Sequence, residues 1–568
     1  MERLGPLFYS PPADLTTEHM STFDFDEFAS QIQGEAPLVW NIADKMVYSS
    51  KQRARNAHKN PKMVILSIIS QAQYTRSHRR GKITKLWSVF LRSCGLSARA
   101  FDALHELGTV MSHKWAANAY GALSHHAMER ARKAVQIFPW VITHDNVNIP
   151  MRVFSQRLHN QSHFISGCAA TLWTLPSTAA LSPDINRNYQ KYTIQSRKTR
   201  FSLEDLLDGN PAIHDRLKNR YIHHILQILL DSPEFRDYKH AASNVLKPPP
   251  PVCKLPCGPD HVVGQYVLHT ANQEEASYEG TDKVIIGIFR QLGLYGEDER
   301  IKTALERFIV WIGDQLTVER LRGLHRYRYE DMNSYDRMDY MLPMFGWFHL
   351  IMAFAHSLHR QYLGNSAVMG SLQQAFDLLK RKGLQKTETK GPFWHHLNEA
   401  LHHVSEAHLK ALWLTVARVA SLTELQSKYP DELLTLAATL YNGHASRLAL
   451  TKMKGRPLTE QDKVQMQWTM WNIDILPYVE LLSAIKNGDV GRMEDLLPTL
   501  LFRFIGGGNP KYSIEILELL QGLRQEWPEE IRDYVRRQCW LMNRSGKPGA
   551  WTPFDQGQEQ NIADIKAS

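Results

Sequence analysis

The sequence predicts an α/β core embedded in a predominantly α-helical protein. Two short apolar runs rich in β-branched and aromatic residues, Ile137–Thr143 (IFPWVIT) and Phe308–Ile312 (FIVWI), read as buried strands, and an aspartate follows each. Elsewhere apolar residues recur at three- and four-residue spacing, the period of an amphipathic helix. With 568 residues, 43 % of them hydrophobic and 22 % charged, the chain can bury a sizeable core. That composition excludes collagen-like, mucin-like and wholly disordered proteins.

The elements follow in order. Residues 1–24, with Pro11 and Pro12, read as a loose tail. Residues 25–136 read as a basic helical domain. Within it, 101–124 fits a helix-turn-helix, its first helix ending at Gly108 and its second capped by Ser112. Residues 137–316 hold the strands: one ending near Asp145, one within Gln161–Leu175, and one ending at Asp314. Residues 176–260 read as an insertion closing in the loop KPPPPVCKLPCGP, and a helix over Asp282–Leu294 takes Thr281 as its cap. Residues 317–540 show helical patterns and no convincing strand, with helices over Met344–Tyr362, His396–Leu422, Glu432–Leu450, Gln465–Lys486 and Tyr512–Leu523. Residues 541–568 return to the core.

The longest apolar stretch, Met341–Ala355, is interrupted by Pro343, Gly346 and His349. It is shorter than the roughly 20 residues of a membrane span, so it reads as buried core and no membrane partner is expected. No signal peptide is apparent. Five cysteines fit a reducing compartment, with Cys94, Cys168 and Cys539 read as buried thiols.

Charge is unevenly distributed. Residues 1–50 carry net −6, residues 51–140 net +13 and the remainder net +2. The basic excess concentrates in KQRARNAHKNPK and RSHRRGKITK. A polyanion suits such a segment, because each neutralised phosphate releases counterions. The candidate nucleic-acid contacts are Lys51, Arg53, Arg55, Arg76, Arg79, Arg80, Lys82 and Lys85. A solvated helical face balanced by the acidic N-terminal segment is the competing reading.

Asp145 and Asp314 each follow a strand, at the sheet edge where ligands bind. Two neighbouring carboxylates repel, and a divalent cation relieves that cost. Glu559 is the candidate third acid, with Asp555 four residues earlier on the same helical face. An aspartate after a strand is also a common helix N-cap, so each carboxylate alone has an ordinary structural explanation.

GDQLT (Gly313–Thr317) followed by Glu319 and Arg320, HDNVN (His144–Asn148), EEASYEG (Glu274–Gly280), MLPMFGWFHLIM (Met341–Met352), GGGNPKYS (Gly506–Ser513) and EQNIADIK (Glu559–Lys566) together resemble a fungal family catalogued as domain of unknown function 6589. That family looks transposase-derived, similar to enzymes with a ribonuclease-H-like core. The resemblance implies a mixed ribonuclease-H-like sheet with Asp145, Asp314 and Glu559 as its catalytic and metal-binding acids. It implies Mg²⁺ or Mn²⁺ as cofactor and DNA as partner. The 245-residue spacing from Asp314 to Glu559 would hold a large helical insertion, as in hAT-type transposases. The implied function is a DNA strand transferase or nuclease located in the nucleus. The short tail after Glu559 and the lack of an N-terminal zinc-finger module suggest a truncated, inactive or domesticated copy. A non-catalytic nucleic-acid-binding protein or an interaction scaffold is the alternative, and self-association stays open.

Three other constellations compete for attention. Cys253, Cys257 and His261, with His269 more remote, have a spacing that could hold Zn²⁺, although prolines make the segment a loop. His395, His396, His402 and His403 lie two helical turns apart, too far for one ion. Arg320 and Arg337 could contact phosphate or pair with Asp331, Asp336 or Asp339.

Overall fold

The computed structural model describes residues 1–11, 16–49, 61–151, 163–207, 211–273, 275, 277–384 and 393–567. The chain divides into two compact units, Met1–Ile137 with Gln560–Ser568, and Phe138–Glu559.

The first unit is helical: Phe25–Glu35, Pro37–Val47, Pro61–Arg76, Lys82–Ser93, Ala98–Glu106 and His113–Ile137. Asp24 caps the first of these by accepting from the amides of Asp26 and Glu27. Phe28, Ile32, Trp40, Ile65, Leu66 and Ile69 form its core. Residues 1–24, expected to be loose, contribute the fully buried Leu4 and Phe8 to that core, so two apolar positions near the terminus anchor what polar neighbours obscured. Within the span read as a helix-turn-helix, a turn containing Gly108 at φ +69° joins two helices. Cys94, expected to be buried, is exposed, because it ends the Lys82–Ser93 helix instead of lying on its apolar face.

The second unit is built on a five-stranded mixed sheet of order β3-β2-β1-β4-β5: β1 Trp140–Met151, β2 His163–Thr174, β3 Gly264–Val267, β4 Ile309–Gly313 and β5 Met341–Phe345. β1, β2 and β3 form an antiparallel meander, while β4 runs parallel to β1 and β5 parallel to β4. All five residues of β4 are buried, as expected for a central parallel strand covered on both faces.

Three local expectations are corrected. β1 does not end near Asp145 but continues to Met151, because its antiparallel partner β2 extends the ladder well past the two pairs it makes with β4. Met341–Phe345 is a strand in a region expected to hold none, and the helix expected from Met344 begins at Trp347. A short buried apolar run has no diagnostic period, and Pro343 is tolerated because β5 lies at the sheet edge. The helix after the insertion is Tyr278–Gln291, capped by Ser277, while Thr281 is buried inside its first turn.

Helices Trp347–Tyr362, Lys463–Asn487, Val490–Gly506 and Pro510–Gln521 share one apolar core with the sheet, from Val141, Trp173, Val310 and Ile312 to Phe354, Tyr478, Leu497 and Phe504. A second cluster joins the helix Pro211–Leu230 to Phe393–Ala417 and Pro430–His444 through Ile225, Leu226, Leu229, Trp413, Leu433 and Leu440. The 176–260 segment is therefore packed on the long helical region. Among the described residues, no helix is long and apolar enough to cross a membrane.

Candidate metal centre

β1 presents different chemistry on its two faces, as the two-residue alternation of a strand requires. On one face Trp311 Nε1 donates to His144 Nδ1 at 2.5 Å. An indole N–H only donates, so His144 carries its own proton on Nε2, which lies 3.3 Å from Glu275. Glu275 also accepts from Thr317 Oγ1 at 3.0 Å and Asn146 Nδ2 at 3.4 Å, and pairs with Arg320 at 3.8 Å. Burial would raise the Glu275 pKa, but His144, Thr317 and Arg320 hold it below the ordinary glutamate value. On this face Glu275 thus gathers His144, Thr317, Asn146 and Arg320 around it.

Thr143 and Asp145 lie on the other face. Trp173 Nε1 donates to Thr143 Oγ1 at 2.8 Å, and that hydroxyl donates to Gln558 Oε1 at 3.0 Å. Gln558 Nε2 in turn donates to the carbonyl of Ala169 in β2 at 2.8 Å. These bonds dock the helix Phe554–Ala567 on the sheet. Gly557 allows the close approach: a Cβ there would stand 2.2 Å from Met542 Cε and 2.8 Å from the Trp173 ring. The helix thereby carries Asp555 and Glu559 to the sheet.

Asp555 is nearly fully buried and caps a different helix. It accepts from the backbone amides of Phe348 at 3.1 Å and His349 at 2.9 Å, the first turn of Trp347–Tyr362. Its Oδ2 also lies 2.9 Å from His349 Nδ1. Gly346 precedes that helix because a Cβ there would stand 2.1 Å from the Asp555 carboxyl carbon. The other His349 nitrogen, Nε2, is 3.4 Å from Glu559 Oε1. One ligand atom each from Asp145, His349 and Glu559 lie within 4.8 Å of one another, the one such group of three metal-ligating side chains among the described residues.

The electrostatics match a cation site. Burial pushes the Asp145 carboxyl up to about 7; His349 opposes this, while the charges of Asp314 and Glu559 add to it. Burial would lower the His349 pKa, but Asp555 and Glu559 on its two nitrogens, with Asp145 nearby, hold it well above its ordinary value. Two carboxylates and an imidazole are a donor set that suits a divalent metal, and positive charge there would relieve the crowding. The residues therefore fit such an ion.

Of the three acids expected from sequence, Asp145 and Glu559 converge. Asp314 stands beside them, close enough that its charge acts on Asp145, but outside the 4.8 Å group. One of its oxygens accepts from the Thr317 amide at 2.7 Å, so it is also the N-cap of Gln315–Tyr327. Extending the β1–β4 register (Ile142 with Trp311, Thr143 with Ile312) by two residues brings Asp145 level with Asp314. Sequence reasoning missed His349 as a ligand. It noted the residue only as a polar break in an apolar run. Pro510–Gln521 closes against this region: Lys511 pairs with Glu319 at 3.0 Å and Arg322 with Glu515 at 2.7 Å. Burial, then the charges of Asp314 and Asp555, raise the Tyr512 pKa well above normal. Asp145, Glu275, Asp314, His349, Tyr512 and Glu559, one from each segment singled out in the sequence, thus act around one end of the sheet.

The remaining candidates disperse. Lys51, Arg53 and Arg55 lie outside the described residues. Lys85 is corrected from a phosphate contact to a structural group: it is buried, donates to the Ser10 carbonyl and lies over the Trp115 ring. Burial of its stem and ammonium on the protein's own groups overrides the charge pattern. Lys82 lies over the Phe23 and Phe28 rings, Arg80 donates to Gln73 at 3.2 Å, and Arg76 pairs with Glu2 at 3.6 Å. Arg79 is exposed. Cys253, Cys257, His261 and His269 form no ligand group among the described residues, nor do His395, His396, His402 and His403. Arg337 pairs with Asp339 at 2.9 Å, and Arg320 serves Glu275.

The chain belongs to a family of unknown function (DUF6589), whose family model matches residues 196–568. The match spans Glu275, Asp314, His349, Asp555 and Glu559, and β1 with Asp145 precedes it. Comparison with curated proteins and with solved structures returned no match.

Proposed function

We propose that this member of the family is a transposase-derived, metal-dependent protein that cleaves or transfers phosphodiester bonds in DNA. On this reading the five-stranded mixed sheet is a ribonuclease-H-like core. The observation that carries the proposal is the convergence of Asp145, His349 and Glu559 at one end of that sheet, with Asp314 beside them. Asp145, His349 and Glu559 would hold the ion, Mg²⁺ or Mn²⁺. A bound divalent cation supplies charge stabilisation to the attacking and leaving oxygens of a phosphodiester displacement.

The protein's own residues define the rest. Asp314, fixed by the Thr317 amide, acts electrostatically on Asp145 and would share in holding cations. Glu275 and His144 brace β1 from the opposite face and keep Asp145 in register with β4. The sheet core under the site excludes water from its floor. The basic segment of the first unit, where Arg79 is exposed, would bind DNA phosphates. The nucleus is the corresponding compartment.

The test is nicking of supercoiled plasmid by the full-length protein with Mg²⁺ or Mn²⁺. Asp145→Asn and Glu559→Gln should each abolish nicking while leaving salt-dependent DNA binding near wild type. Salt-dependent binding with no nicking by the wild type would replace this reading with that of a DNA-binding protein. Binding that is flat from low to moderate salt would remove the nucleic-acid role as well.

A further inference from the structure

We propose that His349 is a nitrogen ligand positioned by Asp555, and that it makes the site prefer Mn²⁺, as a first-row transition ion, over Mg²⁺. The inference rests on the metal-site reading above and specifies which ion that site selects. Carboxylates alone discriminate weakly between these ions, since both accept oxygen ligands. An imidazole nitrogen favours transition ions, whereas Mg²⁺ demands oxygen donors and keeps its waters.

The geometry around His349 is that of an oriented ligand. Asp555 Oδ2 accepts from Nδ1 at 2.9 Å, which fixes the proton on Nδ1 once an ion is bound and turns Nε2 towards Glu559 and Asp145. Asp555 cannot swing away. Two backbone amides at 3.1 Å and 2.9 Å hold its oxygens, and Gly346 closes over its carboxyl carbon. A carboxylate behind a ligating histidine is the outer-sphere arrangement that sets ring orientation and ligand basicity. Asp555 and Glu559 are one helical turn apart on Phe554–Ala567, so one helix supplies both the carboxylate that orients His349 and a carboxylate beside its other nitrogen. Asp555 is thus a positioning residue.

The experiment is calorimetric titration of the full-length protein with Mn²⁺ and, separately, Mg²⁺ near pH 7.5. The wild type should bind Mn²⁺ at least about 10-fold more tightly. His349→Asn offers an amide oxygen to the ion while its NH₂ can still donate to Asp555. It should weaken Mn²⁺ by about 10- to 100-fold and change Mg²⁺ by less than about 3-fold. Asp555→Asn should weaken Mn²⁺ by about 10- to 100-fold, with melting temperature measured in parallel to detect loss of the helix cap. An unchanged Mn²⁺/Mg²⁺ ratio in folded His349→Asn overturns this inference and leaves the metal site standing. Failure of the wild type to bind either ion overturns the metal site and this inference with it.

Discussion

Two carboxylate clusters in the second unit meet burial in opposite ways. In the helical region Glu480, wholly buried, accepts two hydrogen bonds from Arg492 at 2.7 Å and 2.6 Å and lies 2.6 Å from His224, with Arg220 at 4.0 Å. Burial would raise its pKa, but His224 and Arg492 hold it down to about 2. At the sheet end, burial carries Asp145 up to about 7, and Asp314 and Glu559 add to it, while His349 and the Asn146 amide, donating to Asp145 Oδ1 at 2.6 Å, oppose it. The first cluster is complete within the protein and ties Pro211–Leu230 to Lys463–Asn487 and Val490–Gly506. In the second, burial and like charge act together on Asp145, a setting that a bound cation would relieve.

The largest effect should come from breaking the complete cluster. Glu480→Gln leaves Arg492 buried without its counter-charge and should cost about 3–5 kcal/mol, read by urea unfolding. Gly346→Ala drives a methyl group into Asp555 and should cost about 1–3 kcal/mol, with loss of metal affinity alongside. At the sheet end the sign reverses. Between about pH 4 and 7 the folded protein keeps a proton on Asp145 that the unfolded chain has lost, so stability falls as pH rises through that window. Asp145→Asn should therefore be stabilised by about 1–2 kcal/mol relative to wild type at pH 8 in chelator, and by nothing at pH 4. A variant no more stable at pH 8 would erase the contrast between the clusters. Glu480 works the other way: its contribution is complete above about pH 4.5 and fades as pH falls towards 2. The smallest effect belongs to Arg79→Ala, which should leave stability within about 0.5 kcal/mol. It should reduce the salt slope of DNA binding by about one unit if that side chain meets a phosphate.

Much of this was legible in the sequence where the signal is local. Trp140–Thr143 and Ile309–Gly313 declare themselves as strands through β-branched and aromatic runs. Asp314 was visible both as a site acid and as a cap; it caps Gln315–Tyr327, and its charge acts on Asp145 from outside the ligand group. Glu559 could be found as a third acid one helical turn after Asp555 and through the EQNIADIK segment that carries the family resemblance. His349 could not, since its partner Asp555 is 206 residues away and nothing within its own helix marks it. Met341–Phe345 stayed hidden because five buried apolar residues fit either a strand or a helix. Lys85 misled for a related reason: charge density along the chain does not say which lysine turns inward to a carbonyl.

The helix Phe554–Ala567 works as a latch. Its Asp555 starts another helix, its Gln558 bridges β1 and β2, and its Glu559 completes the ligand group. Lifting its first turns would uncap Trp347–Tyr362, release the Gln558 bridge between β1 and β2 and dismantle the ligand group in one event. An ion that binds only the latched form would hold it shut by mass action. Protease sensitivity of the last turns of the chain, followed across a metal titration, would then report occupancy of a site that a cleavage there never touches.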